Sequence, residues 1–363
     1  MKALPILAAL LATAPVAASA DVTTIVTNKI NAYKANRAFM GAVVVVVQGG
    51  NYWWFNYGWK DSQNGISITT PIAIASNSKT FVATELALSD KYGPLPASTE
   101  LDAAFSSLTH TVPGHATLID LVSYFSGLPR ELPSQPSDMT GLIDTMNVCQ
   151  TFADPCFAPE TQNVYSNYGF EVLGNILSWY SSYSTWSDMN AAEITGPLGM
   201  AKTCARGDGC HPNFATSHAH AFDFAGNDIA LPAFSDLSAP EGGLWSTAED
   251  MAVWLRYQLG LIASSSPAIT KLNAVLPTLR QKLPSGSGWS WQIKQLTFND
   301  GTSSRVRWKL GRFEGLNSYI GLADDRQTGV FVFVNRDGSN PAIEDPSDVL
   351  RDELGEKLLE AFP

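Results

Sequence analysis

The sequence predicts an α/β (α+β) fold in which an antiparallel sheet, built from both ends of the chain, is flanked by helices and carries a mostly helical insertion. Two strand-like runs, residues 41–48 and 52–59, lie near the amino terminus and are joined by a Gly-Gly-Asn turn. Four more runs of strand-forming residues, separated by Asn, Asp and Gly turns, lie near the carboxyl terminus. The stretch between them shows short helical patterns and loops, so distant parts of the chain have to meet in one sheet.

The elements follow in order from the spacing of apolar residues. Residues 22–33 have helical periodicity and predict a leading helix. Residues 41–48 are almost continuously β-branched, which is typical of a strand buried on both faces. The late strands are predicted at residues 289–297, 304–310, 319–324 and 329–335, and helices at residues 118–124, 170–180, 248–257 and 347–362. A capping box from Ser246 to Glu249 is expected to start the third of these helices.

The domain organisation follows from these elements. We expect a signal peptide at residues 1–20, a sheet domain made of residues 21–89 and 284–363, and a mainly helical insertion domain at residues 90–283. No linker separates the parts, so a cleft between sheet and insertion is the expected place for a ligand.

Charge excludes two classes of partner. The chain has 23 Lys and Arg against 34 Asp and Glu, a formal net charge of −11, and contains no basic run. A protein that binds nucleic acid or an anionic membrane surface needs a positive patch, so neither partner is expected.

The amino terminus has the pattern of a cleaved secretory signal. Lys2 precedes an apolar stretch at residues 3–17, and Ala18-Ser19-Ala20 supplies the small residues that signal peptidase recognises. This stretch is shorter than the ~20 residues that span a bilayer. We therefore expect a periplasmic or secreted protein that is cleaved after Ala20 and has no transmembrane segment.

Four cysteines are then expected to form two local disulfides, Cys149 with Cys156 and Cys204 with Cys210. Three pairings are possible in principle, and a zinc site made of the cysteines, or of some of them with His211, is the alternative. Neither pair has the usual spacing of zinc ligands, and His211, His218 and His220 are expected to be solvated in loops. No metal and no cofactor is predicted.

A candidate nucleophile with its own base lies at the start of a predicted helix. Ser76 and Lys79 are three residues apart, so on a helix the lysine amine can reach the serine hydroxyl. An amine that is buried near another cation can be neutral and accept the hydroxyl proton. Because Ser-x-x-Lys also occurs by chance, the pair taken alone fits an ordinary exposed helix start better.

Two later motifs supply groups that such chemistry needs. Tyr165 and Asn167 precede a predicted helix, and a phenol close to ammonium groups can ionise and move protons. Lys309 and Gly311 end a predicted strand, where lysine supplies positive charge and glycine permits close approach of a ligand. In isolation, each motif also fits a core tyrosine or a solvated lysine.

The order Ser-x-x-Lys, Tyr-x-Asn, Lys-x-Gly resembles the penicillin-recognising serine hydrolases of the β-lactamase-like/penicillin-binding superfamily, and most closely its class C β-lactamase branch. Within that branch the chain is most similar to AmpH-type D-alanyl-D-alanine carboxypeptidase/endopeptidases. Flanking segments follow in the family's order, at residues 118–132, 165–174, 197–200, 242–251 and 309–319. The resemblance implies a β-lactamase/transpeptidase-like fold.

The resemblance also implies roles for the residues of the three boxes. Ser76 would be acylated and Lys79 would accept its proton, while Tyr165 would be the general acid/base. Asn167 would contact a substrate amide, and Lys309 would keep Tyr165 ionised. The backbone N–H groups of Ser76 and of Arg312, which follows Gly311, would form the oxyanion hole.

Three departures from the family pattern affect specificity. Leu310 replaces the hydroxyl residue that binds a substrate carboxylate, a loss of roughly 1.5–3 kcal/mol unless Arg312 compensates. Phe313 and Glu314 occupy a stretch that is glycine-rich in the family, and Tyr124-Phe125 replaces His-Thr. A bulkier and more apolar cleft is expected, which suits esters or internal amides.

The leading hypothesis is a secreted serine acyl hydrolase that acts on small-molecule or peptide substrates, namely D-alanyl peptides of peptidoglycan and/or β-lactams. A carboxylesterase of the β-lactamase-like type uses the same residues and is the first alternative. A non-catalytic sensor of peptidoglycan or β-lactam is the alternative of another class. Binding alone does not require a nucleophile with its own base, which argues against the sensor.

Overall fold

The structure, a computed structural model, describes residues 20–108, 111–205, 207 and 209–362. The predicted signal peptide lies outside this part, apart from the backbone of Ala20. None of the helices in these ranges combines the length and apolarity needed to cross a membrane.

The strands that the structure describes are β1 (Gly41–Gln48), β2 (Asn51–Gly58), β3 (Ile72–Ala73), β4 (Cys204–Ala205), β5 (Ala221–Phe222), β6 (Asp228–Ile229), β7 (Leu244–Ser246), β8 (Gln292–Thr297), β9 (Ser303–Phe313), β10 (Leu316–Ala323) and β11 (Thr328–Val334). Six of them form one antiparallel sheet in the order β2-β1-β11-β10-β9-β8. This sheet joins strands from both ends of the chain, as predicted.

The α-helices are α1 (Ala20–Asn36), α2 (Lys79–Tyr92), α3 (Leu101–Ala104), α4 (Leu118–Val122), α5 (Met139–Val148), α6 (Asn167–Tyr180), α7 (Trp186–Asn190), α8 (Gly196–Leu198), α9 (Phe214–Ser217), α10 (Ala239–Gly242), α11 (Ala248–Gln258), α12 (Pro267–Leu279), α13 (Pro346–Leu350) and α14 (Glu356–Leu359). The mixed architecture of an antiparallel sheet flanked by helices confirms the predicted fold class.

Strand β1 lies between β2 and β11 and is buried on both faces. Its side chains alternate between two hydrophobic cores, since Val43 and Val45 face one core and Val44 and Val46 face the other. The terminal helices α1 and α14 contribute to the second core, and helices α2, α6, α11 and α12 of the central part of the chain contribute to the first. The continuous run of valines therefore reflects burial by helices on both sides of the sheet.

One predicted helix changes its hydrogen-bond pattern along its length, and one predicted helix cap is displaced. The helix predicted at residues 347–362 is observed as a helical stretch at residues 346–359, in which a π-helical segment, Arg351–Gly355, lies between α13 and α14. Gly355 lies against the ring of Tyr319, where a Cβ atom would come within 2.4 Å of Cδ1. Helix α11 is capped by Thr247, whose Oγ1 accepts from the N–H of Asp250. Ser246 ends β7 instead and bonds to the hydroxyl of Thr203, so the predicted capping box is displaced by one residue.

The two predicted disulfides, Cys149–Cys156 and Cys204–Cys210, are both present. The alternative zinc site needed these sulfur atoms as ligands, but they are bonded to one another in the two disulfides. His211 was expected to be solvated, but it is only 6% exposed, and burial lowers its pKa to about 4. The backbone N–H of His211 donates to the Gly207 carbonyl at 3.1 Å and its ring lies 6.2 Å from that of Phe214, so contacts within this segment remove His211 from solvent.

Candidate active site

Ser76 lies on a tight turn between strand β3 and helix α2. The turn is a 3-10 helix, Ala75–Ser78, and Ala75 has a left-handed backbone with φ of 49°. A positive φ is uncommon for residues other than glycine, and such conformations need support from their surroundings. Ser78 Oγ supplies it by donating to the Ala75 carbonyl at 2.7 Å, while Ser318 Oγ donates to the Ile74 carbonyl at 3.1 Å. These bonds hold Ser76 at the amino-terminal end of α2.

Lys79 is the first residue of α2 and is fully buried. Its Nζ lies 3.3 Å from Ser76 Oγ and donates to Asn167 Oδ1 at 2.7 Å and to the backbone carbonyl of Glu241. The last two atoms can only accept hydrogen bonds. A neutral amine has two hydrogens for these acceptors and one lone pair, which is then left for the hydroxyl proton of Ser76. The geometry therefore suits a base for Ser76.

Tyr165 lies between the two lysines of the site. Its Oη accepts from Lys309 Nζ at 3.4 Å, and the Nζ atoms of Lys79 and Lys309 lie 5.1 and 4.8 Å from the ring centre. Burial raises the pKa of the phenol, but the charges of Lys309 and Lys79 outweigh burial and lower the pKa to about 8. The phenol can thus lose and regain a proton near neutral pH.

Tyr124 supports Tyr165 from the position where the family has histidine. The two rings stack at 5.0 Å, and Tyr124 Oη donates to the Ser290 carbonyl at 2.9 Å. Burial keeps the pKa of Tyr124 well above its ordinary value. Tyr124 is therefore a neutral partner that orients the ring of Tyr165.

The third box lies on a part of β9 that has only one neighbouring strand. Strand β8 pairs with β9 as far as Trp308, so residues 309–313 pair with β10 alone and leave a free edge along the cleft. At Gly311 a Cβ atom would come within 2.3 Å of the Ile74 carbonyl and 2.5 Å of Ser318 Oγ. Only glycine lets this strand lie so close to the turn that carries Ser76.

Arg312 has an acidic partner that the sequence did not reveal. Its Nη1 donates to Asp345 Oδ2 at 2.8 Å, and both side chains are partly exposed. Asp345 therefore neutralises part of the charge that we expected to be free for a substrate carboxylate. Arg312 still lines the cleft, together with Asp345.

A cleft of about 400 Å³ joins the three boxes. It is lined by Ser76, Arg130, Glu131, Tyr165, Asn167, Phe234, Glu241, Gly242, Lys309, Leu310, Arg312, Phe313, Asp345 and Ser347. The residues of the three boxes that have a predicted role all line this cleft, except Gly311 and Lys79. Lys79 lies beneath the cleft floor and contacts Ser76 and Asn167 from there.

Sequence reasoning did not identify several residues that line the cleft, among them Arg130, Glu131, Phe234, Glu241 and Asp345. Glu131 Oε1 accepts from Asn167 Nδ2 at 2.7 Å. No motif marks these positions, although Arg130 and Glu131 lie within a segment that flanks the boxes.

Metal ligands are not grouped at this site. Within the described ranges, two clusters have ligand atoms close enough for a metal, and both lie outside the cleft. Two of the three residues in the first are the disulfide-bonded Cys204 and Cys210, and the second consists of surface residues around His115.

Comparisons with known proteins agree with this geometry. A family model described as Beta-lactamase matches residues 26–353. A β-lactamase of Pseudomonas fluorescens is 24% identical over 351 residues, which cover 88% of this chain and 95% of that protein. A β-lactamase of Escherichia coli K12 is 22% identical and covers 90% of this chain and 92% of its own length.

Solved structures share the fold. A class C β-lactamase from Rhodobacter sphaeroides aligns with a TM-score of 0.75 at 21% identity, over 94% of this chain and 98% of that one. A β-lactamase/D-alanine carboxypeptidase from Pseudomonas syringae aligns with a TM-score of 0.79 at 18% identity, over 93% and 98%. Together with the family model, these matches confirm the predicted resemblance, and the chain belongs to the β-lactamase family of serine hydrolases.

Proposed function

We propose that this protein is a secreted or periplasmic acyl hydrolase that works through an acyl-enzyme on Ser76. The observation that carries the proposal is the set of contacts around Lys79. Lys79 Nζ lies 3.3 Å from Ser76 Oγ and is held there by two acceptors, Asn167 Oδ1 and the Glu241 carbonyl. A pure binding site has no use for such an arrangement.

The reaction follows from the positions of these groups. Lys79 takes the proton of Ser76, whose Oγ attacks the substrate carbonyl carbon. The N–H of Ser76 stabilises the resulting oxyanion at the start of α2. The carbonyl re-forms as the bond to the leaving nitrogen or oxygen breaks, and the phenolate of Tyr165 takes the proton from Lys79 and passes it to that atom. Water then attacks the ester of Ser76, with the same groups returning a proton to Oγ.

We propose D-alanyl peptides of peptidoglycan and/or β-lactams as the substrates. The relatives named above are β-lactamases, and one structural neighbour is described as a β-lactamase/D-alanine carboxypeptidase. The free edge of β9 offers backbone groups to an extended peptide, and Lys309 and Arg312 offer positive charge to a terminal carboxylate. Both substrate types carry an amide carbonyl and a carboxylate.

A carboxylesterase is the second candidate, and the apolar side chains of the cleft favour it. Leu310 lines the cleft where the family has a hydroxyl, and the rings of Phe234 and Phe313 lie 5.4 Å apart on its wall. An ester with an apolar acyl group needs no carboxylate partner and gains from contact with these rings.

Labelling with a fluorescent penicillin tests the nucleophile. We expect the wild-type protein to be labelled and Ser76→Ala to be unlabelled with its fold intact by circular dichroism. Equal labelling of both would show that Ser76 is not acylated.

Turnover of three substrates then separates the two candidates. Hydrolysis of a cephalosporin or of a D-Ala-D-Ala pentapeptide supports the peptidase and β-lactamase proposal. Hydrolysis of a short p-nitrophenyl ester alone supports the carboxylesterase and contradicts the first candidate.

A further inference from the structure

Arg312 and Asp345 form an ion pair on the wall of the active-site cleft, beside the third box. Arg312 Nη1 donates to Asp345 Oδ2 at 2.8 Å, and both residues line the cleft. Leu310 and Arg312 are two residues apart on β9, so their side chains lie on the same face of the strand. The charge of Arg312 is therefore on the face of β9 that also carries Leu310, and a carboxylate of the protein already contacts it.

Asp345 is held in this position by the start of α13. Its Oδ1 accepts from the backbone N–H of Ser347 at 2.8 Å and from Ser347 Oγ at 2.6 Å, which leaves Oδ2 for Arg312. Ser347 itself is only 6% exposed. Partial burial raises the pKa of Asp345, but the bonds from Ser347 and the charge of Arg312 outweigh burial and keep this pKa below its ordinary value. Asp345 is thus a fixed negative charge at neutral pH.

The other cations that line the cleft also have partners within the protein. Lys309 Nζ donates to Tyr165 Oη at 3.4 Å and to the Leu310 carbonyl at 3.0 Å. Arg130 Nε lies 3.5 Å from Glu131 Oε1, and its guanidinium lies 5.1 Å from the centre of the Tyr165 ring. A substrate carboxylate would therefore have to compete with a group of the protein for each of these cations.

We propose that Asp345 is a specificity-determining residue, which occupies Arg312 in place of a substrate carboxylate and so selects substrates whose leaving group carries no free carboxylate. Esters and internal peptide bonds have such leaving groups. The inference rests on the proposed function, because it narrows the substrates from which Ser76 takes an acyl group. A carboxylate in the leaving group would have to displace Asp345 from Arg312 and would place a second negative charge beside it, and both effects are unfavourable.

A matched pair of substrates tests this selection. The N-acetyl-D-alanyl esters of D-lactic acid and of D-lactamide share the acyl group and the scissile bond and differ in one carboxylate. The wild type should hydrolyse the lactamide ester with the higher kcat/KM. In Asp345→Asn, kcat/KM for the lactate ester should rise about tenfold relative to that for the lactamide ester, because Arg312 is free to bind the carboxylate. Asparagine keeps an oxygen for the N–H of Ser347, so the cap of α13 is retained.

Two further variants separate an effect through Arg312 from a general loss of negative charge. Asp348→Asn removes a carboxylate that pairs with Arg351 and lies outside the lining of the cleft, so the ratio of the two kcat/KM values should not change. In an Arg312→Gln background, adding Asp345→Asn should change the ratio far less than about tenfold, since no guanidinium is released. A wild-type preference for the lactate ester, an unchanged ratio in Asp345→Asn, or an equal rise without Arg312 would overturn the proposal.

Binding supplies a readout that needs no catalysis. In a Ser76→Ala background, calorimetry should show that Asp345→Asn strengthens the binding of N-acetyl-D-alanyl-D-alanine about tenfold and leaves the binding of its amide unchanged. If the acid binds no more tightly after this substitution, the proposal is wrong, whether or not the protein hydrolyses any substrate. A wild type that hydrolyses neither ester, while binding follows the expected pattern, would instead contradict the proposed function.

Discussion

Replacing Lys309 with methionine should raise the pKa of Tyr165 and slow acyl transfer at neutral pH. Lys309 Nζ is 3.4 Å from Tyr165 Oη, and the pKa of this phenol is about 8 instead of the ordinary 10.0. Two unit charges at this separation attract by about 1 kcal/mol at a dielectric constant of 80 and by about 5 kcal/mol at 20. At 1.36 kcal/mol per pKa unit, the shift lies between about one and about three and a half units.

A rise of about two units returns Tyr165 to the ordinary tyrosine range. The ionised fraction at pH 7 would fall from about a tenth to about a thousandth. If the phenolate is the active form, kcat/KM at pH 7 falls about 100-fold, or about 2.7 kcal/mol in the barrier. Activity should partly recover as the pH is raised.

The assay is a titration of tyrosinate by ultraviolet absorbance. The transition that Tyr165→Phe removes from the wild-type curve belongs to Tyr165. This transition should move to higher pH in Lys309→Met and stay low in Lys309→Arg, which keeps the charge. A Tyr165 transition that remains near pH 8 in Lys309→Met would refute the electrostatic argument.

Three other changes have expected outcomes. Leu310→Thr restores a hydroxyl beside the cleft and should speed acylation by β-lactams up to about tenfold, because a hydrogen bond to a charged group contributes roughly 1.5 kcal/mol. Acylation rates are measured by stopped flow, and rates that do not rise would show that the substrate carboxylate binds elsewhere. Gly311→Ala puts a Cβ atom within 2.3 Å of the Ile74 carbonyl, so kcat/KM should fall at least about 100-fold because Ser76 is displaced. The control Gly65→Ala, where the nearest atom lies at 3.8 Å, should keep its kcat/KM. Replacing both Cys149 and Cys156 with serine opens a loop with a sequence separation of 7 and should lower the free energy of unfolding by about 2–3 kcal/mol. A chemical denaturation curve with an unchanged midpoint would contradict this prediction.

Local patterns were enough for much of the fold. Strand β1 was predicted with its observed ends, and α6 and α11 were predicted to within three residues, because burial periodicity and turn residues are local properties. The π-helical segment between α13 and α14 was not predicted, because no local residue pattern marks this change of hydrogen bonding.

In the active site, too, local features were predictable and long-range contacts were not. Ser76 and Lys79 were predictable as a pair because three-residue spacing on a helix brings two side chains together. The contact of Lys79 with Asn167 and Glu241 joins residues 88 and 162 positions away. Nothing near Arg312 in the sequence indicated that Asp345 would pair with it.

The sequence by itself determined the chemistry that the protein can carry: a serine with an amine three residues away, a phenol, a strand lysine and a glycine, in an order typical of one family. The tertiary structure alone decided how these groups are charged. The pKa of Tyr165 depends on burial and on distances of a few ångströms between segments far apart in the chain. Electrostatic energy varies with separation and local dielectric, and both quantities exist only once the chain has folded.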